Sequence, residues 1–219
     1  MKHPSSRELF AYWNAQRGIR RVPDRSDIEP GAIRSVLGDT FILDADASAG
    51  HPFRLAGTRV CALFCRELKG EAFAFLWMHA GRSELQARIG IVAEESVGLV
   101  ASVAARNTEN ATLHLELLLL PLASRNQPRA RIIGMLIPME VPYWLGVSPL
   151  TGLTLASFRH LDPELERAAP HFMSGAMADA CAASLPNSLP SARSAAPLRS
   201  ISLLRQQPGL RVYEGGRAE

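Results

Sequence analysis

Cysteine is scarce in this chain. Only Cys61, Cys65 and Cys181 occur in 219 residues. Three thiols give neither a disulfide framework nor a complete zinc site, so no metal site is expected. Lysine is scarcer still, at Lys2 and Lys69, and the basic residues are otherwise all arginine. The 24 basic residues face 21 acidic ones, leaving a net charge of +3. That is too weak a field for a general nucleic-acid binder, so no nucleic-acid partner is expected. No apolar run reaches the roughly 18 residues a membrane span needs, so no integral membrane association is expected. Met1-Lys2-His3-Pro4-Ser5 has no apolar stretch of a secretory signal, and a cytoplasmic location is the expectation. Catalytic signatures are missing too. There is no G-x-S-x-G, no P-loop and no G-x-G-x-x-G. No catalytic residue is assigned, and the chain is not expected to be an enzyme.

What is present is enough apolar sequence, 47%, for a packed core. Residues 5–17 predict a helix, with Ser5 and Glu8 in capping-box spacing. Leu9, Tyr12 and Trp13 form its apolar stripe, and Gly18 is placed to end it. Arg17, Arg20, Arg21 and Arg25 then cluster around Pro23. Asp27 is positioned to cap a second short helix bearing Ile33, Val36 and Leu37. Strands are predicted at 40–46 and 53–57, separated by a turn-rich stretch. Thr58 is placed to cap a short helix through Leu68. An aromatic-rich irregular stretch spans 71–80, and a longer helix 82–96 carries the i,i+4 pair Glu84 and Arg88. Three further strands, 98–106, 112–122 and 131–140, have connections too short for crossovers and read as consecutive antiparallel neighbours. Beyond them, Tyr143, Trp144 and Leu145 read as a docked segment. Residues 161–172 read as a short helix, and 183–200, rich in serine and proline without an aromatic, as linker or disorder.

The three strands carry apolar residues on both faces. Leu113, Leu115, Leu117 and Leu119 point one way, and His114, Glu116, Leu118 and Leu120 the other. Ile132 and Leu136 are assigned to the face of Leu118 and Leu120, opposite Leu117 and Ile133. Such a patch would be unusual on a soluble monomer. The helix bearing Leu9, Tyr12 and Trp13 has a matching stripe and can pack there in its own chain or across a twofold axis. A homodimer built from Leu9, Tyr12, Trp13, Leu118, Leu120, Ile132 and Leu136 is the expectation, with Trp13 as anchor.

Two strands, short helices, one longer helix and three antiparallel strands is the element order of a PAS domain. Trp13, Arg17-Gly18, Pro23-Asp-Arg25 and Asp27-Ile-Glu-Pro30 narrow this, together with Phe53-Arg-Leu-Ala-Gly-Thr58, the Glu67-Leu-Lys-Gly70 turn and Leu76-Trp77. They resemble a family of PAS-like proteins found chiefly in alphaproteobacteria, many of them stand-alone. Glu214-Gly-Gly-Arg217 resembles that family's ending. The resemblance covers residues 8–145 and the tail end. It implies an α+β fold, a five-stranded antiparallel sheet with short helices on one face, plus the N-terminal helix. The chain then divides into a helix and Arg-rich linker (1–27), a PAS-like domain (28–145) and an extension (146–219). It implies a non-enzymatic sensory or protein-interaction module in bacterial signalling, acting through an unidentified signalling protein. The alternative is a cofactor-dependent sensor using haem or flavin.

The site candidates follow from where PAS ligands sit. Phe53, Phe64, Cys65, Phe73, Phe75, Trp77, Leu115, Leu117 and Met135 flank that region and either line a small-molecule pocket or fill it as core, the second being the preferred reading. Cys65-Arg-Glu-Leu-Lys-Gly70 is similar to the cysteine motif of flavin-binding LOV domains, but Phe64, Glu67 and Lys69 depart from it. His79 precedes the longer helix, the element that carries the haem ligand in haem-binding PAS domains. No cofactor is therefore expected. Cys61 and Cys65, four apart, would share a helix face as a redox pair or as two buried apolar side chains. Arg54 is expected to pair with a carboxylate across strands. Asp44 and Asp46 read as a solvated strand end, with cation binding as the sharper alternative.

Overall fold

The computed structural model describes residues 1–123 and 130–162. All of these lie in one unit, Met1–Phe172. Cys181, the 183–200 stretch, the Glu214–Arg217 ending and the helix expected beyond Leu161 fall outside the described residues.

The chain opens with α1, Pro4–Arg17. It starts one residue earlier than Ser5 because Pro4 sits in its first turn, where proline's missing N–H costs nothing. The cap is His3, whose Nδ1 accepts from the Ser5 N–H at 3.2 Å. The expected Ser5/Glu8 capping box does not form. Glu8 instead accepts a hydrogen bond from the Ser35 hydroxyl. Short 3-10 turns follow at Arg25–Asp27, Pro30–Ile33 and Leu37–Asp39. They replace the expected second helix. Its predicted cap, Asp27, closes a capping box with Asp24 instead, one turn earlier.

The strands are β1 (Thr40–Asp44), β2 (Phe53–Ala56), β3 (Gly98–Asn107), β4 (Thr112–Leu122), β5 (Arg131–Pro138) and β6 (Leu150–Leu161). Between β2 and β3 lie α2 (Thr58–Leu63), two further 3-10 turns and α3 (Arg82–Glu95). The sheet is antiparallel throughout, in the order β2-β1-β5-β4-β3-β6. Among the described residues the expected five strands are thus six. β6 was not anticipated; it pairs along the whole of β3, so the boundary expected at residue 145 falls before a strand of the same sheet.

Two apolar layers flank the sheet. The inner one joins Leu113, Leu115, Leu117 and Leu119 to α2, α3 and the aromatic turn. The outer one joins Leu118, Leu120, Ile133, Met135 and Ile137 to Leu9 and Trp13 of α1. β5 therefore sits one residue out of the register expected for its faces. Leu117 pairs with Leu136 and Leu118 with Met135. Ile132 and Leu136 face inward, and Met135 faces α1. A slip of one residue flips every side chain of a strand, because the repeat is two.

Two glycines permit close approaches. A Cβ on Gly134 would overlap the Phe41 ring, so its absence lets that ring lie on the sheet. A Cβ on Gly57 would overlap the Leu37 and Gly38 carbonyls. Two residues on, Arg59 grips Asp39 with Nε at 2.8 Å and Nη2 at 2.7 Å. The Phe53-to-Thr58 signature thus builds a joint between the strand pair and the preceding turn.

Candidate functional site

The inner layer is the region expected either to line a small-molecule pocket or, as preferred, to fill it as core. It is closed by rings in contact. Phe41, Phe53 and Phe73 lie with centroids 5.5 to 5.6 Å apart, and Trp77 stands edge-on to Phe73 at 5.8 Å. Offset and edge-to-face pairs at these distances are stabilising contacts of a filled core. Of the pocket candidates, Phe53, Phe64, Phe73, Trp77, Leu115 and Leu117 are brought together there and are buried. Three are not. Met135 is on the outer face with α1. Phe75 is 70% exposed, because its 3-10 turn points successive residues in different directions. Cys65 is exposed at φ 51°, in a left-handed conformation that stops α2 at Leu63. It therefore shares no helix face with Cys61, which is buried and whose thiol is pushed up by desolvation. No cluster of three or more metal-ligating side chains occurs among the described residues. His79 is exposed on the turn before α3.

The outer layer holds the interface candidates, and it is closed within one chain. Leu9 and Trp13 have no exposed surface, nor do Leu118 and Leu120. Trp13 Nε1 donates to the Pro121 carbonyl at 2.9 Å. Tyr12 is half-buried; its hydroxyl accepts from the Glu29 N–H at 2.8 Å and lies 3.3 Å from the Asp27 carbonyl. Ile132 and Leu136 belong to the other layer, for the register reason above. The apolar patch that motivated a twofold partner is covered in cis.

Sequence reasoning missed Glu116. It sits among leucines on β4, on the face shared with His114, and it is buried. Its carboxylate accepts from the backbone N–H groups of Lys2 at 2.6 Å and His3 at 3.1 Å. Burial pushes the carboxyl up. The nearby Ser6 hydroxyl and the two N–H groups outweigh burial and hold it below the ordinary carboxylate value. The residue acts as a tertiary cap, fixing the segment that leads into α1. The signal was the lone acid inside a Leu-rich strand, which is stable when buried only if hydrogen-bonded.

His51 is a second buried polar group. It lies in the β1–β2 connection at φ 59° and is 2% exposed. Neither ring nitrogen makes a well-formed hydrogen bond. Desolvation holds its pKa below the ordinary value, against the pull of the Asp46 carboxylate and the Asp44 carbonyl.

The remaining charged candidates have structural partners. Arg17 is buried, lies 5.9 Å over Trp13 and donates to Asn14 Oδ1 at 2.7 Å. Arg20 pairs with Asp27 at 2.6 Å, and Arg21 donates to the Glu95 carbonyl at 2.9 Å. Arg54 pairs with Asp44 as expected, at 3.6 Å, and Arg131 approaches the same carboxylate at 3.7 Å. Asp46 accepts from Ser48 and Ala49 within its own turn, so the two aspartates do not combine as a cation site. Tyr143 is not docked: it is 95% exposed, beside exposed Val141 and Val147. Trp144 and Leu145 do pack on the inner core.

An antiparallel sheet with short helices and α3 on one face and α1 on the other defines an α+β domain. A PAS domain family model matches residues 1–137, and the chain belongs to that family. Among solved structures, it is similar to a Rhodobacter sphaeroides LOV protein at 14% identity and TM-score 0.39. That match covers 50% of this chain and 66% of the other, just under two thirds. It is also similar to the PAS domain of an HTR-like protein from Haloarcula marismortui, at 12% identity and TM-score 0.38, covering 50% and 90%. An RNA-binding light-oxygen-voltage receptor matches at 17% identity and TM-score 0.38, covering 50% and 33%. No curated protein matches the chain. No helix among the described residues is long and apolar enough to cross a membrane.

Proposed function

We propose that this PAS domain is a non-enzymatic sensory or protein-interaction module of bacterial signalling, acting through partner proteins and without a resident cofactor in its interior. The observation that supports this most is the inner layer. The chain's own rings, Phe41, Phe53, Phe73 and Trp77, occupy the space between sheet and helices. A domain packed in this way works through its surface. The division into an N-terminal helix with linker (1–27), a central domain (28–145) and an extension (146–219) belongs to the same proposal, with β6 as an addition to the central sheet.

The homodimer is retained as part of the proposal, but with other residues. Leu9, Trp13, Leu118 and Leu120 already cover one another. Val141, Tyr143 and Val147, between β5 and β6, are the exposed apolar side chains that favour an interface. Light scattering on the full chain tests this reading. A dimer at micromolar concentration, converted to monomer in a folded Val141→Glu, Tyr143→Glu variant, supports it. A monomeric wild type sinks the homodimer, and a dimer untouched by the variant moves its interface elsewhere.

A further inference from the structure

On the far side of the aromatic turn from the filled core, an open cleft of about 580 Å³ lies between the β1–β2 connection and the start of α3. One wall is the Ala47–Gly50 stretch; the other carries Phe75, His79, Arg82 and Gln86. Gln86 Nε2 donates to the Ala47 carbonyl at 3.3 Å and ties the two walls together.

The guanidinium of Arg82 is held from two sides. Its Nε donates to the Trp77 carbonyl at 3.0 Å, and its Cζ lies over the Phe75 ring, 5.2 Å from the centroid. The Nε bond leaves both terminal nitrogens available, and Arg82 forms no ion pair among the described residues. Among the described residues, no aspartate or glutamate lines the cleft. The acids next in sequence to its lining residues are engaged elsewhere: Asp46 in its own turn, and Glu84 with Arg88 at 3.6 Å. A guanidinium fixed by its Nε and by an aromatic face presents a preformed fork for an oxyanion, with little side-chain freedom left to lose. Beside it stand an exposed ring, Phe75, and the methyl groups of Ala47, Ala49 and Ala74. A ligand matching both parts carries one carboxylate and a flat apolar body.

We propose that this cleft binds a small aromatic carboxylate, its carboxylate on Arg82 and its ring against Phe75. The site lies on the surface, apart from the packed interior, and stands independently of the partner reading above.

The test is a calorimetric or NMR titration of the full chain with benzoate, with benzyl alcohol and inorganic phosphate as controls. Saturable 1:1 binding of benzoate, with neither control binding as tightly, is the expected result. Arg82→Gln is expected to weaken benzoate at least tenfold. Phe75→Ala removes an exposed ring, and with it one of the two supports of Arg82, without opening the core; it is expected to weaken benzoate with the melting temperature unchanged, which separates recognition from folding. No saturation by about 10 mM benzoate, a millimolar affinity being the weakest worth the name of a site, overturns the proposal. So does equal affinity in wild type and Phe75→Ala, or phosphate binding more tightly than benzoate.

Discussion

Replacing Trp13 with alanine examines the closure of the outer sheet face. Trp13 is fully buried, its indole N–H meets the Pro121 carbonyl at 2.9 Å, and Phe10 and Arg17 lie within about 6 Å of its ring. Truncating a buried Trp to Ala costs about 3–5 kcal/mol in lost transfer energy and residual cavity. Leaving a buried carbonyl unpaired costs a further 1–3 kcal/mol or so. Against the usual total of about 5–15 kcal/mol, this brings the domain close to unfolding. Trp13→Phe separates the terms, since it keeps most of the ring and loses the donor; about 1–2 kcal/mol is expected. Urea unfolding followed by far-ultraviolet circular dichroism measures both. The reasoning is refuted if Trp13→Ala costs less than about 1 kcal/mol, the scale of an ordinary surface change. The same holds if the two variants lose equal stability.

Two buried groups predict a pH dependence, in different windows. His51 has a lowered pKa in the folded chain, so the unfolded chain binds its proton first. Stability should fall as pH drops below the ordinary value of 6.5, and His51→Asn, which tolerates the left-handed backbone, should flatten that part of the profile. Identical slopes in the two proteins would contradict it. Glu116 is also held low, so its contribution is full above the ordinary value of 4.5 and disappears as pH falls through the folded one. Glu116→Gln should therefore be less stable than wild type at neutral pH and converge with it in acid; a constant gap would count against the cap. Thiol alkylation mapped by mass should find exposed Cys65 modified well before buried Cys61, and equal rates would show that the end of α2 is wrongly described.

How much was legible depended on how regular each local signal is. The Leu113-to-Leu119 alternation survives intact because β4 is central and pairs with β3 and β5 without a register shift. β5 failed at the level of faces, since Ile132 to Ile137 is apolar at every position except Gly134, and only pairing with β4 fixes which residues turn inward. β6 was hidden by its bulge. Ser157 pairs with Ser102 but Leu155 with Val103, so Ala156 is extra and the spacing from Leu155 to Phe158 breaks the period of two. The α1 stripe of Leu9 and Trp13 packs with Leu118 and Leu120 but not with Ile132 and Leu136, and whether that layer lay in the same chain was a tertiary question. In the pocket list, Phe75 and Cys65 fell out because a 3-10 turn and a left-handed residue override sequence spacing. The Glu116 cap joins residues 113 and 114 positions apart, beyond any local pattern.

The filled interior is the central claim, and the visible absorption spectrum of freshly purified full-length chain tests it most directly. The account predicts absorbance from the aromatic side chains alone, with none in the visible range before or after denaturation. A haem or flavin band present in proportion to the protein, and released when the chain is unfolded, would contradict it.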